Sequence, residues 1–264
     1  MGVFESLKKG SGILKGSLPL VLTIFGFNFL TALGMLMVIG INPTPEKITA
    51  ITGVLVTLFP ILIAMWIFME GGIFSAVYSK IKADELGMDS FVGNCAKFFL
   101  RLLGINMIGG VVTVVLWFVG AFLTGLFIAM GGGNNIFFNV LGGIMLLITI
   151  LAAFLIAIPM LYGQYFVVIE DAKAIPSLKK GFAYTKQFFW KNVGLFLMLA
   201  ILLTVISFFA NFIGALFTNS VGGWVAAIIN IILNSSINGL VGVFASGAII
   251  SFILGNLIQS EAAE

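Results

Sequence analysis

Histidine is absent from the 264 residues, and cysteine occurs once, at Cys95. The first absence removes the commonest general base, the commonest metal ligand and the usual pH switch. The second excludes an intrachain disulfide and a thiolate metal cluster. Charge is scarce too: 9% of residues are Asp, Glu, Lys or Arg, against about 25% in a soluble domain. A soluble fold of this length cannot cover its surface with so few charges. No serine–histidine pair, intramembrane carboxylate pair or metal-ligand spacing occurs, so the sequence offers no coherent catalytic constellation. The chain is read as non-enzymatic, with no cofactor, no metal and no nucleic-acid partner.

What is abundant is apolar. Hydrophobic residues make up 61% of the chain, and several runs exceed the ~20 residues that cross a bilayer as a helix. Helices satisfy their own backbone polar groups, which lipid does not do. The expected fold is therefore all-α, a polytopic transmembrane helical bundle in one integral membrane domain, 1–264. Six spans are predicted, near 17–41, 51–79, 104–130, 136–168, 193–217 and 222–258. Lys8, Lys9 and Lys15 before the first run resemble a signal peptide, but the run continues to Ile41. A cleaved apolar region has 7–15 residues, so a retained span is expected.

The connections alternate. Segments 1–16, 80–103 and 169–192 are long and charged. Segments 42–50, 131–135 and 218–221 are short and built of turn residues, such as Asn42-Pro43-Thr44-Pro45 and Gly131-Gly132-Gly133-Asn134-Asn135. Twelve of the thirteen Lys and Arg residues fall in the charged set; only Lys47 does not. By the positive-inside rule that side is cytoplasmic. Both termini are then expected in the cytoplasm of a prokaryotic cell membrane. The last run, 37 residues, would reach ~55 Å as one helix, beyond a ~30 Å core. A break, a kink or an external extension is expected near Asn234-Ser235-Ser236, and kinks at Pro60 and Pro159.

The charged segments resemble one another. Ser6-Leu7-Lys8-Lys9-Gly10 recurs as Ser177-Leu178-Lys179-Lys180-Gly181, with Ser90-Phe91-Val92-Gly93-Asn94 between them. Each string opens a basic stretch with helical amphipathicity. Phe91, Cys95, Phe98 and Leu102 oppose Asn94, Lys97 and Arg101. Phe4, Leu7, Ser11 and Leu14 oppose Glu5, Lys8, Gly12 and Lys15. Ile175, Leu178, Phe182, Phe189 and Val193 oppose Lys179 and Lys186. Such helices lie in a membrane interface. The pattern predicts three tandem units, 3–80, 88–168 and 175–258, each an interfacial helix plus a two-span hairpin. Convergence among lysine-rich loops is the competing explanation.

Glu70 is the one carboxylate inside a predicted span, ten residues before Lys80 and so ~15 Å deep. An ionisable group there is costly and marks a functional hypothesis; the structural alternative is a hydrogen-bonded group that joins helices. With Asn28, Gln164 and Asn234 it forms the candidate intramembrane polar site. The candidate lipid-headgroup contacts are Lys8, Lys9, Lys97, Arg101, Lys179, Lys180 and Lys186, which makes anionic membrane lipid the expected partner. A protein partner or second copy stays open. Gly71/Ser75/Ser79 and Gly247/Ser251/Gly255 have the small-xxx-small spacing of close helix packing. Asp84-Glu85 and Glu170-Asp171 follow spans two and four. They fit either shared cation coordination or the start of the basic helices, where acidic groups are favoured. Gly10–Ser17 fails as a phosphate loop because Lys15 precedes Gly16 and no strand leads into it. Asn234-Ser235-Ser236 matches a glycosylation sequon but lies within an apolar run.

Gly163-Gln164-Tyr165-Phe166-Val167-Val168-Ile169-Glu170-Asp171, continuing through Ser177-Leu178-Lys179-Lys180-Gly181 to Phe188-Phe189-Trp190-Lys191, resembles the membrane domain associated with glycerophosphodiester phosphodiesterases. Related prokaryotic six-span proteins share a span ending in an acidic pair, then a basic amphipathic helix and the next span. The resemblance implies a membrane module and no activity, since no segment of the 264 residues corresponds to the soluble phosphodiesterase domain. Two functional classes follow. One is a non-catalytic module for lipid or envelope handling, or for anchoring a partner. The other is a transporter or channel for a neutral or hydrophobic solute.

Overall fold

The computed structural model describes residues 1–40, 44–132, 135–221 and 223–261. Its described elements are helical: α1 (Val3–Leu14), α2 (Leu18–Ile39), α3 (Pro45–Ala83), α4 (Phe91–Met130), α5 (Ile136–Ile169), α6 (Ala174–Gln187), α7 (Phe189–Val221) and α8 (Gly223–Glu261). A 3₁₀ turn, Met88–Ser90, precedes α4. Six of these helices, α2 to α5, α7 and α8, are long and apolar enough to cross a membrane. The chain is a multi-pass helical membrane protein. Residues 41–43, 133–134 and 222 of the three short turns, and Glu264, lie outside the described residues.

Three local differences from the sequence expectation have physical causes. The helix α8 runs unbroken over 39 residues. Asn234 Nδ2 donates to the Asn230 carbonyl at 2.9 Å, and Ser236 Oγ to the Ile232 carbonyl at 2.8 Å. These polar side chains are satisfied by their own helix one turn back, so they require no break; of the alternatives expected here, a helix of 39 residues fits an extension beyond the core. Pro60 and Pro159 likewise lie within α3 and α5 without ending them.

The second difference concerns the middle amphipathic segment. It is not a separate helix: α4 carries it and the following span in one run of 40 residues. Between α1 and α2 the chain breaks at Gly16, with φ +81°, and Pro19 opens α2. Proline lacks the N–H and its ring clashes with the carbonyl four residues back, so a helix does not pass through this point. Between α6 and α7 it breaks at Phe188, φ −114° and ψ 32°. No proline lies between 91 and 130, and no residue there has positive φ, so the helix continues. The third difference lies after α3 and α5, where Asp84 (φ 58°) and Asp171 (φ 51°) both adopt the left-handed conformation. Asp tolerates it better than most side chains, and here it stops the helix.

The contacts cluster into two compact units. In the first, residues 1–98 and 190–264, α8 is the spine: Val243, Ala248, Ile250, Phe252 and Ile253 are fully buried. A Cβ placed on Gly10 of α1 would lie 2.9 Å from both the Phe244 oxygen and the Ala248 nitrogen. A Cβ on Gly247 would meet Ile13, and one on Gly239 would lie 2.8 Å from the Val21 oxygen of α2. Within the same unit, a Cβ on Gly71 of α3 would lie 3.2 Å from Phe98 Cβ, and one on Gly72 2.7 Å from the Phe91 ring. In the second unit, residues 99–189, α6 lies against α5. A Cβ on Gly181 would collide with the Pro159 carbonyl and lie 2.7 Å from Gly163 N. Tyr184, buried on α6, stacks against Tyr162 at 4.9 Å and Phe166 at 5.7 Å.

These contacts make Gly181 a test of the α5–α6 seam. Gly181→Ala places a methyl against rigid backbone, and overpacking costs about 1–3 kcal/mol. Gly143→Ala meets open space and gains helix propensity. Thermal unfolding of detergent-solubilised protein, followed by retention on size-exclusion chromatography, should show a clear loss for Gly181→Ala and none for Gly143→Ala. Equal behaviour would remove the seam as a stabilising contact.

Candidate functional site

Of the four residues of the candidate intramembrane site, Asn28, Glu70 and Asn234 belong to the first unit and Gln164 to the second. Glu70 is half-buried on α3 and accepts a hydrogen bond from Trp66 Nε1, 2.9 Å from Oε1. Trp66 in turn lies 5.9 Å from the Phe27 ring of α2, so the carboxylate belongs to an α2–α3 contact. Asn28 is half-buried on α2, and its Nδ2 has no hydrogen-bond partner. Asn234 is exposed and bonds to its own helix. Gln164, in the other unit, is buried and donates from Nε2 to Asn106 Oδ1 at 2.9 Å. Asn106 was not singled out in the sequence. A polar residue two places into a predicted span was the signal for it.

The acidic pairs anchor cations of the chain itself. Arg101 Nη1 donates to Asp171 Oδ1 at 2.6 Å and to the Asp171 carbonyl at 2.9 Å. Lys180 pairs with Glu170. Lys80 pairs with Asp84, Nζ to Oδ1 2.7 Å, and donates to the Asp84 carbonyl at 2.9 Å. The cation-coordination alternative finds no support: no group of three or more metal-ligating side chains occurs among the described residues. Of the seven candidate headgroup contacts, Arg101 and Lys180 are thus engaged in ion pairs. Lys8, Lys9, Lys97, Lys179 and Lys186 are exposed, with Lys9 loosely placed 4.0 Å from Glu5.

Each amphipathic helix carries two apolar faces. The buried one pairs two small residues with one large one: Ser6, Gly10 and Ile13 on α1; Ser177, Gly181 and Tyr184 on α6. The exposed one holds large residues beside the lysines: Phe4 at 75%, Ile175 at 61% and Phe182. Leu178, expected at the acyl boundary, is buried instead, with its backbone against Gly163. The middle segment repeats the arrangement, with Phe91, Cys95 and Phe98 buried and Val92 and Leu100 exposed beside Lys97.

A cavity of about 540 Å³ opens at the lysine-bearing end of the first unit, among α1, α3 and α8. Three ammonium groups, Lys9, Lys15 and Lys80, and one carboxylate, Asp84, line it together with Ser251. Lys80 is well covered, its side chain 17% exposed, whereas that of Asp84 is 93% exposed. The hydrogen bond from Lys80, and then its charge, hold the Asp84 carboxyl below the usual carboxylate range. Two further cavities of this unit are apolar grooves. One, about 350 Å³, lies among Leu14, Leu202, Ile206, Ile237 and Leu240; another, about 360 Å³, lies among Met35, Val56, Phe59 and Leu62.

No family model, no curated protein and no solved structure matches the chain. The likeness to the phosphodiesterase-associated membrane domain rests on the 163–191 motif alone.

Glu70 should tolerate loss of charge but not its reversal. A Gln at 70 offers an amide oxygen to Trp66 in the place of Oε1, while a Lys places an ammonium in the span at a cost of about 2.5–3.5 kcal/mol near a helix centre. Glu70→Gln should express and elute like wild type, and Glu70→Lys should aggregate or fail to insert. A Glu70→Gln protein as damaged as Glu70→Lys would show that the charge itself is required.

Proposed function

We propose that the chain is a non-catalytic module of a prokaryotic cytoplasmic membrane that engages anionic lipid headgroups with its lysine-rich face. The observation that carries this reading is the exposed combination on the amphipathic segments: Phe4, Val92, Ile175 and Phe182 stand out from the protein, next to exposed Lys8, Lys97, Lys179 and Lys186. Large apolar groups enter the acyl boundary while lysines remain at the headgroups. The cytoplasmic placement of this face follows from twelve of thirteen cations lying on one side.

The recurrence of the same docking supports three tandem units. Segment α1 docks on the second span of the last hairpin, 91–98 on that of the first, and α6 on that of the second. In this register Ser6/Gly10/Ile13 corresponds to Phe91/Cys95/Phe98 and to Ser177/Gly181/Tyr184. That is one residue away from the string match at Ser90. The resemblance to the phosphodiesterase-associated domain agrees with a membrane module. The transport alternative asks for a polar path; Glu70 is bonded to Trp66, Asn234 to its own helix and Gln164 to Asn106, so each of these three is engaged locally.

Replacing Lys8, Lys97, Lys179 and Lys186 together by Gln removes four exposed surface charges and leaves Lys80, Arg101 and Lys180 in place. Near an anionic surface each lysine is worth about 1 kcal/mol. Native mass spectrometry of the quadruple variant should therefore show far fewer co-purifying anionic lipids than wild type, with zwitterionic lipids unchanged. Equal lipid retention would sink the headgroup reading. On the same protein, Thr44→Cys should label only from outside the cell and Lys186→Cys only from the cytoplasm, the native Cys95 being buried. The reverse pattern would overturn the orientation.

A further inference from the structure

We propose that the cavity among Lys9, Lys15, Lys80 and Ser251 is a discrete phosphate-binding site, filled by the phosphodiester of an anionic phospholipid. It rests on the headgroup reading above for the choice of lipid over free phosphate. Ser251 is the observation that turns a basic patch into a site. Its side chain is 3% exposed, it lines the cavity, and its hydroxyl has no hydrogen-bond partner. Several other hydroxyls are satisfied one turn back, Ser17 on Ile13, Thr149 on Met145, Thr185 on Gly181 and Ser236 on Ile232; Thr124 and Ser177 share the lack of a partner with Ser251, but only Ser251 lines the cationic cavity. A buried hydroxyl without a partner is costly, and this one faces a space that admits a ligand.

The surrounding charges define the ligand's sign. Three ammonium groups against one carboxylate leave the lining cationic. Lys80 is oriented from behind by Asp84, to which it gives two bonds. An ammonium has three donors, so one remains for a bound oxygen. The left-handed Gly16 keeps the approach to Lys80 clear: a Cβ there would stand 3.6 Å from Nζ. A phosphate oxygen would take the Ser251 hydroxyl and the third Lys80 donor, with Lys9 and Lys15 closing over the others. Charge-assisted bonds of this kind are the strong ones. The volume, about 540 Å³, holds a headgroup, and the cavity sits where the lysine-bearing ends of α1 and α3 meet an apolar span. A lipid phosphate is delivered at that level by its own acyl chains.

The test is a native mass-spectrometric titration of the solubilised full chain with phosphatidylglycerol, phosphatidylcholine and inorganic phosphate. Wild type should bind one phosphatidylglycerol saturably and phosphatidylcholine much more weakly. Ser251→Ala, which keeps the volume, and Lys80→Gln, which frees only an exposed carboxylate, should each weaken that one binding event about tenfold. The quadruple surface variant should keep it while losing the remaining lipids, so failure of the surface reading and failure of this site give different results. Unchanged affinity in both Ser251→Ala and Lys80→Gln would overturn the site. Saturation by inorganic phosphate with no retained lipid would overturn the lipid as its source and assign the same groups to free phosphate.

Discussion

The architecture depends on the closeness with which each amphipathic segment approaches the second span of a hairpin. Gly10 meets the carbonyl of Phe244 and the nitrogen of Ala248; Gly181 meets the same pair of backbone groups one turn apart, Pro159 and Gly163. In the middle segment the small residues sit on the span instead, where Gly71 and Gly72 receive Phe98 and Phe91. Lipid tails are as apolar as the helices, so burial of leucines supplies no drive toward association in a membrane, and close packing must supply it. Glycine at the crossing brings backbone within van der Waals reach of backbone. Any side chain there separates the two helices along their whole length.

That crossing also decides what the lysines do. Because the small face of α1 and of α6 is occupied by the span, the helix has no apolar face left to bury inside the protein. Phe4, Ile175 and Phe182 are turned outward as a result, and the lysines beside them with them. On α6 the docking also brings Lys180 to Glu170, which removes one expected headgroup contact from the exposed face. Likewise Arg101 is drawn to the left-handed Asp171. Such pairs, partly open to solvent, contribute at most about 1 kcal/mol each. Their clearer effect is to fix the loop conformations that end α3 and α5.

Much of the fold was legible in the sequence because a membrane simplifies it. Length and apolarity found all six spanning helices, and the change from the charged segment 1–16 to an apolar run located the start of α2. The repeated string was legible, but for a reason other than the one that makes it matter. The eye falls on Lys8-Lys9 and Lys179-Lys180, while the recurring structural chemistry is Ser and Gly four residues apart, the face that docks. In the middle segment Phe91 and Cys95 stand in those places, so no Ser–Gly pair marks its docking face in the sequence. The continuity of α4 was illegible because nothing in amphipathicity says where a surface helix stops and a span starts. Ser251 was seen only as a small residue in a packing stripe. Its cavity is made by α1 and α3, and no local pattern in α8 reports residues so distant in sequence.

The distribution of burial favours a function at the lysine-bearing end over one at mid-span. Buried residues concentrate there: Leu20, Val21 and Ile24 on α2, 73–77 on α3, 162–168 on α5, and 243–256 on α8. The remote halves hold fewer buried residues, among them Thr149, Ala210 and Ala226. On α7, Leu197, Ile201, Val205, Phe208 and Phe212 are exposed, and so are Leu202, Phe209, Ile213 and Leu216 around the helix from them. In water such exposure would be prohibitive; in lipid it costs nothing, because the medium matches the side chains. A preorganised polar site needs rigid support from its neighbours, and only the packed end offers it. Glu70 is bonded to Trp66 on its own helix, whereas Lys80 and Ser251 sit where α1, α3 and α8 meet. The same close packing that joins α1 to α8 therefore holds the cationic cavity in shape.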